Sequence, residues 1–413
     1  MTTVSSTYKS QLRSSAVLRS GELLNLIRQR GPCTISELSE AMELARSTVT
    51  SRVKILLDAD LILESRSTAS GKGRSAAAYE FNPNAGVVLT VQIGITASRA
   101  AVTNLDGHLL GSAMIEAKTS SGQIQVMQEI VQAFRQLLEN NSTRGKRLYG
   151  IGVGLPNLLE LRQVLNTSRD LPTGSAWSLE ELSTALVEEF DVPVFVDHDV
   201  NLIALAEYHM QSPRPEVLIS VKAGTVISCG ILVGGDIVRG RQDMTGEIGH
   251  TMIEGSDALC NCGNRGCLNA VAGGRVLAEV LREKGFEADS VQDVSALAKR
   301  GVPEAIEQIR MAGRRIGQVL AGIVNLLNPD VIRVWGYLAE PEDHLFAGIR
   351  ESLAKHALPM SSEVVVLGPT QLRDDAGIRG ASMLVVERML TDDEIEQRLD
   401  QFVKCRGQQV ADD

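Results

Sequence analysis

A capping box that leads into a hydroxyl-rich helix, a basic hairpin directly after it, and a strand, glycine turn and hairpin that occur twice further on predict an N-terminal winged helix-turn-helix fused to a duplicated α/β body. The 413 residues are too many for one ordinary domain, at about 150 residues per domain. The boundaries read as 1–83 for the head, 84–205 and 206–390 for two lobes, and 391–413 for an acidic tail, a helix that frays. A hydrophobic fraction of 44% with only 3% aromatics specifies an aliphatic core and excludes a disordered chain.

In the head, Val17, Leu18, Leu23, Leu24 and Ile27 follow helical spacing up to Gly31-Pro32, which stops that helix. Thr34-Ile-Ser-Glu37 is a capping box, because threonine oxygen and glutamate carboxylate can satisfy each other's backbone donors. It opens a short helix through Leu38 and Met42. After a turn at Glu43-Leu-Ala45, a third helix from about Arg46 to Leu57 points Val49, Val53, Leu56 and Leu57 inward. Arg46, Ser47, Thr48, Thr50, Ser51, Arg52 and Lys54 are left for its other face or its first turn. Such a helix fits the major groove, with hydroxyls and amides on phosphates and long basic side chains on base edges or phosphates. Leu61 to Glu64 and Ala76 to Phe81 alternate as strands around a Ser/Gly-rich turn that carries Lys72 and Arg74, the expected wing. Asn82-Pro-Asn84 reads as the linker.

Charge supports that division. The whole chain carries −10, but residues 1–83 hold eleven Lys/Arg against eight Asp/Glu, or +3, and the remainder holds −13. A mildly basic head on an acidic body excludes nonspecific nucleic-acid binding by the whole molecule and suits a DNA-binding module joined to something else. The most apolar long window, Ile219 to Val238, is broken by Lys222, Asp236 and six glycines or serines, so it reads as strands rather than a membrane span. Met1 to Arg19 lacks the apolar run of a secretory signal, which predicts a cytoplasmic location and no membrane partner. Three of the six cysteines, Cys260, Cys262 and Cys267, fall within eight residues, a spacing that favours a metal over a disulfide framework.

In the body, Val87 to Ile93 is an apolar strand ending in Gly94. Ala100 to Leu105 and His108 to Met114 form a hairpin, Ile124 to Glu139 is a helix, and Leu148 to Val153 is a buried strand. The second half repeats the theme, with a strand Glu216 to Val221, a turn near Gly224-Thr225 and a hairpin through Gly234-Gly-Asp236. Two such halves suggest a cleft between them.

Gly246-Glu-Ile-Gly-His250, followed by Cys260-Asn-Cys-Gly-Asn-Arg-Gly-Cys267-Leu-Asn269, resembles the ROK family of repressors, open reading frames and sugar kinases. Gly152-Val-Gly-Leu-Pro156, Asp197-His-Asp199-Val-Asn201, Asn328-Pro329 and the stretch Asp375 to Ala381 match as well. The resemblance covers essentially the whole chain and implies an actin/hexokinase-like ATPase fold for the body; the winged head places the chain in the family's regulator branch. His250, Cys260, Cys262 and Cys267 supply one imidazole and three thiolates, and Gly263 and Gly266 allow the tight turns between them. Tetrahedral zinc is the expected occupant, structural because four protein ligands leave no open position. A reduced cysteine cluster and a thiol switch are the alternatives.

In the family's kinases the aspartate of a Glu-Asn-Asp stretch deprotonates the sugar hydroxyl, a position that matches Asp199. Glu247 and His250 match sugar-contacting positions. His198 stands where asparagine is usual, and Asn269 where a sugar-binding glutamate is usual. These five residues are the expected effector site. The phosphate loops depart further: Gln92-Ile-Gly-Ile-Thr96 replaces an acidic, glycine-paired loop, Gly224-Thr-Val-Ile-Ser228 puts β-branched bulk where phosphate oxygens would sit, and Trp335-Gly336 replaces a glycine pair. The sequence therefore predicts no kinase activity. It predicts a repressor that responds to a sugar, acts on a palindromic operator on double-stranded DNA, and forms a homodimer or tetramer. A kinase that also binds DNA, and a zinc- or redox-responsive regulator, are the other readings of the same residues.

Overall fold

A computed structural model of the protein describes residues 17–66, 77–94, 98–117, 123–156, 178–372 and 375–412, with 406–412 as helix backbone. Helix α1 (Ser20–Arg30) buries Leu23, Leu24 and Ile27 and stops at Gly31, whose positive φ of 81° lets its N–H return to Ile27 O. Strand β1 (Cys33–Thr34) leads into α2 (Ile35–Met42). The capping box is formed: Glu37 N–H donates to Thr34 Oγ1 at 3.3 Å, and Thr34 N–H donates to Glu37 Oε2 at 2.7 Å. Helix α3 (Arg46–Asp58) buries Val49, Val53 and Leu56, while Leu57 is half-buried. Strands β2 (Ile62–Arg66) and β3 (Ala77–Phe81) pair antiparallel from Ile62↔Phe81 to Arg66↔Ala77, and β1 adds to β3, which makes the winged-helix sheet. The hairpin tip lies outside the described residues, and Lys72 and Arg74 lie with it.

The body contains the same sheet twice. In the first, β4 (Val87–Gln92), β5 (Ser98–Asn104) and β6 (Leu109–Ile115) run antiparallel. After α4 (Gln123–Glu139), β7 (Leu148–Leu155) pairs parallel with β4; after α5 (Leu179–Phe190), β8 (Val194–His198) pairs parallel with β7. In the second, β9 (Val217–Ala223), β10 (Ile227–Val233) and β11 (Asp236–Ile237) are the antiparallel trio. Strands β12 (Val331–Trp335) and β13 (Val366–Pro369) then extend the β9 side in parallel. Between the lobes, α6 (Asp199–Met210) is buried on every side from Asp199 to Glu207, as expected of a helix held between two layers. The second lobe adds α7 (Leu268–Ala272), α8 (Gly274–Glu283), α9 (Val291–Lys299), α10 (Pro303–Leu327), α11 (Glu342–His356) and α12 (Pro359–Ser362). Beyond β13 come α13 (Ala376–Met389) and α14 (Asp392–Asp412).

Three expectations are corrected. The boundary at 205/206 falls inside α6, and α13, assigned to the second lobe, packs on β4 and β7 of the first. A Cβ at Gly380 of α13 would meet Leu202 O of α6 at 1.8 Å, so the two helices touch backbone to backbone. Residues 391–413 are not a free tail, because α14 docks on α1. Asn25 Nδ2 donates to Leu390 O at 3.0 Å and Asp392 Oδ1 at 2.7 Å, and Arg19 N–H donates to Glu396 Oε1 at 2.7 Å. Ile395 and Leu399 join Leu23, Leu24, Ile27, Val88, Tyr149 and Val385 in one apolar cluster. At about 2–5 kcal/mol for truncating such a buried aliphatic side chain to alanine, that cluster fixes the head against the body. Asn82 takes part in this: it is buried and donates to Asp60 O at 2.8 Å, so the predicted linker is part of the junction.

The third correction is Arg52. It is 7% exposed and faces α1 and α14 instead of solvent, with Nε and Nη1 buried and without hydrogen-bond partners among the described residues. Positions 49, 52, 53 and 56 share one helical face, so the spacing that buries Val49, Val53 and Leu56 takes Arg52 inward with them. Burial, then the charge of Arg19, pulls its pKa below the usual arginine value, while Glu396 and Glu22 oppose that pull. No helix among the described residues is long and apolar enough to cross a membrane.

Candidate functional site

On α3, Arg46, Ser47, Thr50, Ser51 and Lys54 are exposed and Thr48 is half-buried. With Arg52 withdrawn, the outward stripe is two cations and three hydroxyls at positions 46, 47, 50, 51 and 54, adjacent along two and a half turns of helix. No side chain caps the first turn, and none of its residues is acidic. The helix start therefore presents its positive dipole end together with Arg46, an arrangement that accepts a phosphate.

In the second lobe, His250 ends a 3-10 turn (Ile248–His250), and the three cysteines sit on the loop that follows. His250 Nδ1 lies 3.7 Å from Cys260 Sγ, Cys262 Sγ lies 3.7 Å from Cys267 Sγ, and one donor atom from each residue falls within 4.8 Å of the others. Ligands about 2.3 Å from a tetrahedral ion are about 3.8 Å apart, so the spacing fits a zinc-sized cation. Gly263 and Gly266, at φ of 96° and 75°, make the turns between the sulfurs. Burial first, and then the neighbouring thiols, push the Cys267 thiol up to about 12, and burial also raises Cys260. Gathering three thiolates there requires a compensating cation. On the other side of the ring, Glu247 Oε2 is 3.9 Å from His250 Nε2, a carboxylate near the imidazole but beyond hydrogen-bond distance.

The cleft residues sit where β8 ends and α6 begins. Asp197 Oδ1 accepts from His198 N–H and from Asn201 Nδ2, both at 2.7 Å, and its Oδ2 pairs with Arg239. Asp199 Oδ1 accepts from Val200 N–H at 2.8 Å, and Oδ2 accepts from Lys222 Nζ at 2.7 Å. Lys222 comes from β9, and its ammonium also lies 5.8 Å from the centroid of the Trp335 ring. His198 precedes α6 with Nδ1 buried and without a hydrogen-bond partner among the described residues. Arg239 opens a loop that closes through Thr245 N–H on Arg239 O at 3.3 Å and runs on into Glu247. Asn269 Oδ1 accepts from Ile227 N–H at 2.7 Å, so Asn269 anchors the start of β10. The fold thus brings Asp199 and His198 together with Lys222 and Arg239, and Glu247 together with His250. Lys222 and Arg239 escaped the sequence reading; the available signal was a lysine between Val221 and Ala223 in an otherwise apolar strand.

Of the first phosphate loop, Ile95 and Thr96 lie outside the described residues, and Gln92 lies against Gly377, with Oε1 2.3 Å from where a Cβ there would stand. Trp335 packs on Ile203, Ala206, Leu372 and Ala376.

Comparison with known proteins agrees with this architecture. The MarR family profile matches residues 18–73 and the ROK family profile residues 88–388. The xylose repressor of Bacillus spizizenii is 26% identical over 369 residues, 89% of this chain and 94% of that protein. A crystal structure of a ROK family transcriptional regulator, described as a homolog of the E. coli MLC protein, superposes with a TM-score of 0.76 at 26% identity, covering 94% of this chain and 99% of that one. The ROK hexokinase from Thermus thermophilus superposes with a TM-score of 0.58 at 27% identity over 72% of this chain and 97% of its own, so the duplicated body is hexokinase-like. A profile match over nearly three-quarters of the sequence, on a fold shared with a regulator from head to body, establishes that the chain belongs to the ROK family.

Proposed function

We propose that the protein is a DNA-binding transcriptional repressor whose body binds a sugar or sugar derivative, holds a structural zinc ion and performs no phosphoryl transfer. The observation that carries this reading is the exposed stripe Arg46, Ser47, Thr50, Ser51 and Lys54 on a head whose first helix shares its core with α13 and α14. A recognition surface is thereby joined by packed side chains to a helix that runs along the cleft. An effector can act only by binding one head arrangement better than another, and Val385, Val386 and Met389 of α13 lie in the core on which the head packs. Two such heads about one DNA turn apart read a palindrome, so a homodimer or tetramer is the working form, in the cytoplasm with the DNA. Lys72 and Arg74 are assigned to the adjacent backbone or minor groove.

His250 Nδ1 and the sulfurs of Cys260, Cys262 and Cys267 would hold the zinc. A bound ion would fix the loop that positions Glu247 and Asn269, and a closed set of four protein ligands makes its role structural. Four features support the absence of kinase chemistry. Asp199, at the position of the family's base, is paired with Lys222; Gln92 replaces the acid of the first loop; Val226 lines a cavity of only about 140 Å³ beside the second; and Trp335, in place of a glycine pair, packs on Ile203 and Ala206 of α6. His198, Asp199, Glu247, His250 and Asn269 remain the proposed surroundings of the effector, Asn269 through the turn it anchors.

The test is recovery of bound fragments from genomic DNA, followed by gel-shift titration of the best fragment with a panel of sugars. A palindromic fragment released by one sugar is expected; absence of any specific fragment overturns the reading, and coupled turnover of ATP with any hexose overturns the non-enzyme part.

A further inference from the structure

The last turn of α6 carries a histidine that is held from two sides. His209 Nε2 lies 2.7 Å from Glu387 Oε1 of α13, and His209 Nδ1 lies 3.3 Å from a terminal guanidinium nitrogen of Arg214, on the loop 211–216 between α6 and β9. An ionised carboxylate only accepts hydrogen bonds and a guanidinium only donates them. The two partners therefore fix the tautomer: the ring is neutral, with its proton on Nε2 and its lone pair on Nδ1. The histidine side chain is 19% exposed, so both contacts are made largely out of water.

A second proton can land only on Nδ1. There it replaces the lone pair that Arg214 uses and sets an imidazolium against a guanidinium, while the Nε2 contact becomes an ion pair with Glu387. One proton thus keeps α13 on α6 and expels Arg214. The remaining hold on Arg214 is its place over the Tyr208 ring, 5.5 Å from the centroid, which the proton leaves untouched. Charged groups reach the ring from each element around it. Glu387 and Arg379 come from α13, Arg379 with Nη1 3.6 Å from Met210 Sδ beside His209. Arg214 comes from the loop, and Arg28 of α1 is acted on by Glu387, Arg214 and Asp106 of the β5–β6 turn. Glu387 stands between Val386 and Met389, which pack with Leu23, Leu24 and Ile27 of the head, and α6 begins at Asp199 in the cleft. His209 therefore sits where the cleft helix, the support of the head and a loop cation near α1 meet.

We infer that His209 is a proton-operated clasp: neutral, it ties the loop 211–216 to α6 through Arg214; charged, it releases Arg214 while keeping its hold on α13. Imidazole is the side chain whose charge changes between roughly pH 5 and pH 8, so modest acidification operates the clasp. The inference needs neither effector nor DNA and stands or falls apart from the regulator reading.

The test is nuclear magnetic resonance on the full-length protein with 15N in its six histidines and its arginine side chains. The His209 signals, assigned by their loss in His209→Gln, should show the Nε2–H tautomer while the ring is neutral. At a fixed pH on the acid side, the ratio of charged to neutral His209 should rise about threefold in Arg214→Met, the scale of one partly exposed charge contact, and fall in Glu387→Gln. The Arg214 side-chain signal should be ordered at about pH 8 and mobile at about pH 6 in the parent, the span over which an imidazole changes charge. In His209→Gln, whose amide can still donate to Glu387 but cannot take a proton, Arg214 should keep one mobility across that range. An Nδ1–H tautomer in the neutral ring overturns the inference. So does a charged fraction that Arg214→Met leaves unchanged, or an Arg214 that moves alike at both pH values in the parent.

Discussion

Lys222 Nζ is 2.7 Å from Asp199 Oδ2, with the two side chains only 13% and 8% exposed, so Asp199 is held as half of a buried ion pair. A carboxylate so held gives up its ion pair with Lys222 when it takes a proton, which opposes its use as a base.

Removing one partner should therefore cost far more than removing both. Lys222→Met is expected to destabilise the protein by about 3–5 kcal/mol in urea unfolding, and the double variant Lys222→Met with Asp199→Asn should recover most of that loss. Equal losses in the single and double variants would show that the pair is not coupled.

The head offers a contrast between two neighbouring cations. Lys54→Ala, on the exposed stripe, should weaken DNA binding and reduce the slope of log affinity against log salt by about 1. Arg52→Met should leave that slope unchanged and alter stability by no more than about 1 kcal/mol, since an apolar chain of similar length replaces a buried guanidinium that lacks partners at Nε and Nη1. A smaller salt slope in Arg52→Met would return Arg52 to the DNA face.

Chelation should release about one zinc per chain and lower the melting temperature, and Cys262→Ser should be isolated without metal. Thiol titration adds a second readout. Cys405 is exposed and should react in the untreated protein, Cys262 should react only after chelation, and Cys229 should stay silent because full burial pushes its thiol up to about 12. A Cys262 that reacts equally before and after chelation would argue against the metal.

Glu207, on α6, is fully buried. Its Oε1 accepts from Thr370 and from Gln371 N–H, while Oε2 has no partner among the described residues. Burial, opposed by the Thr370 hydrogen bond and Arg333, raises its pKa. A carboxyl group raised in the folded state contributes stability that is complete below its unfolded value, near 4.3, and is lost as pH climbs through the folded value. Glu207→Gln should therefore be more stable than the parent at pH 8 by about 1 kcal/mol, with the gain shrinking toward pH 4; a gain that does not depend on pH would exclude this origin.

What the sequence disclosed was local. The Thr34–Glu37 box, the wing strands and the cysteine cluster depend on residues a few positions apart, and their geometry follows from spacing alone. Lys222 and Arg239 were missed because their partners are distant, whereas Arg52 was misplaced although its spacing already set it on the face of Val49, Val53 and Leu56. Lys222 reaches Asp199 only after β9 and α6 have packed. The same limit applies to α13 and α14. Their periodicity specifies helices, but no pattern within either says that one packs on the first lobe and the other on the head.

The docking of α14 on α1 has a consequence for how the molecule is made. Asn25 and Asp392 hydrogen-bond across 367 positions of sequence, so a ribosome must translate nearly the entire body before the head can complete its core. During that interval the nascent head lacks Ile395 and Leu399 and the cluster that aligns α3, and an interrupted translation product would lack them permanently. Order of synthesis would then act as a proofreading step, since a polypeptide unable to sense its effector would also lack a finished surface with which to occupy an operator.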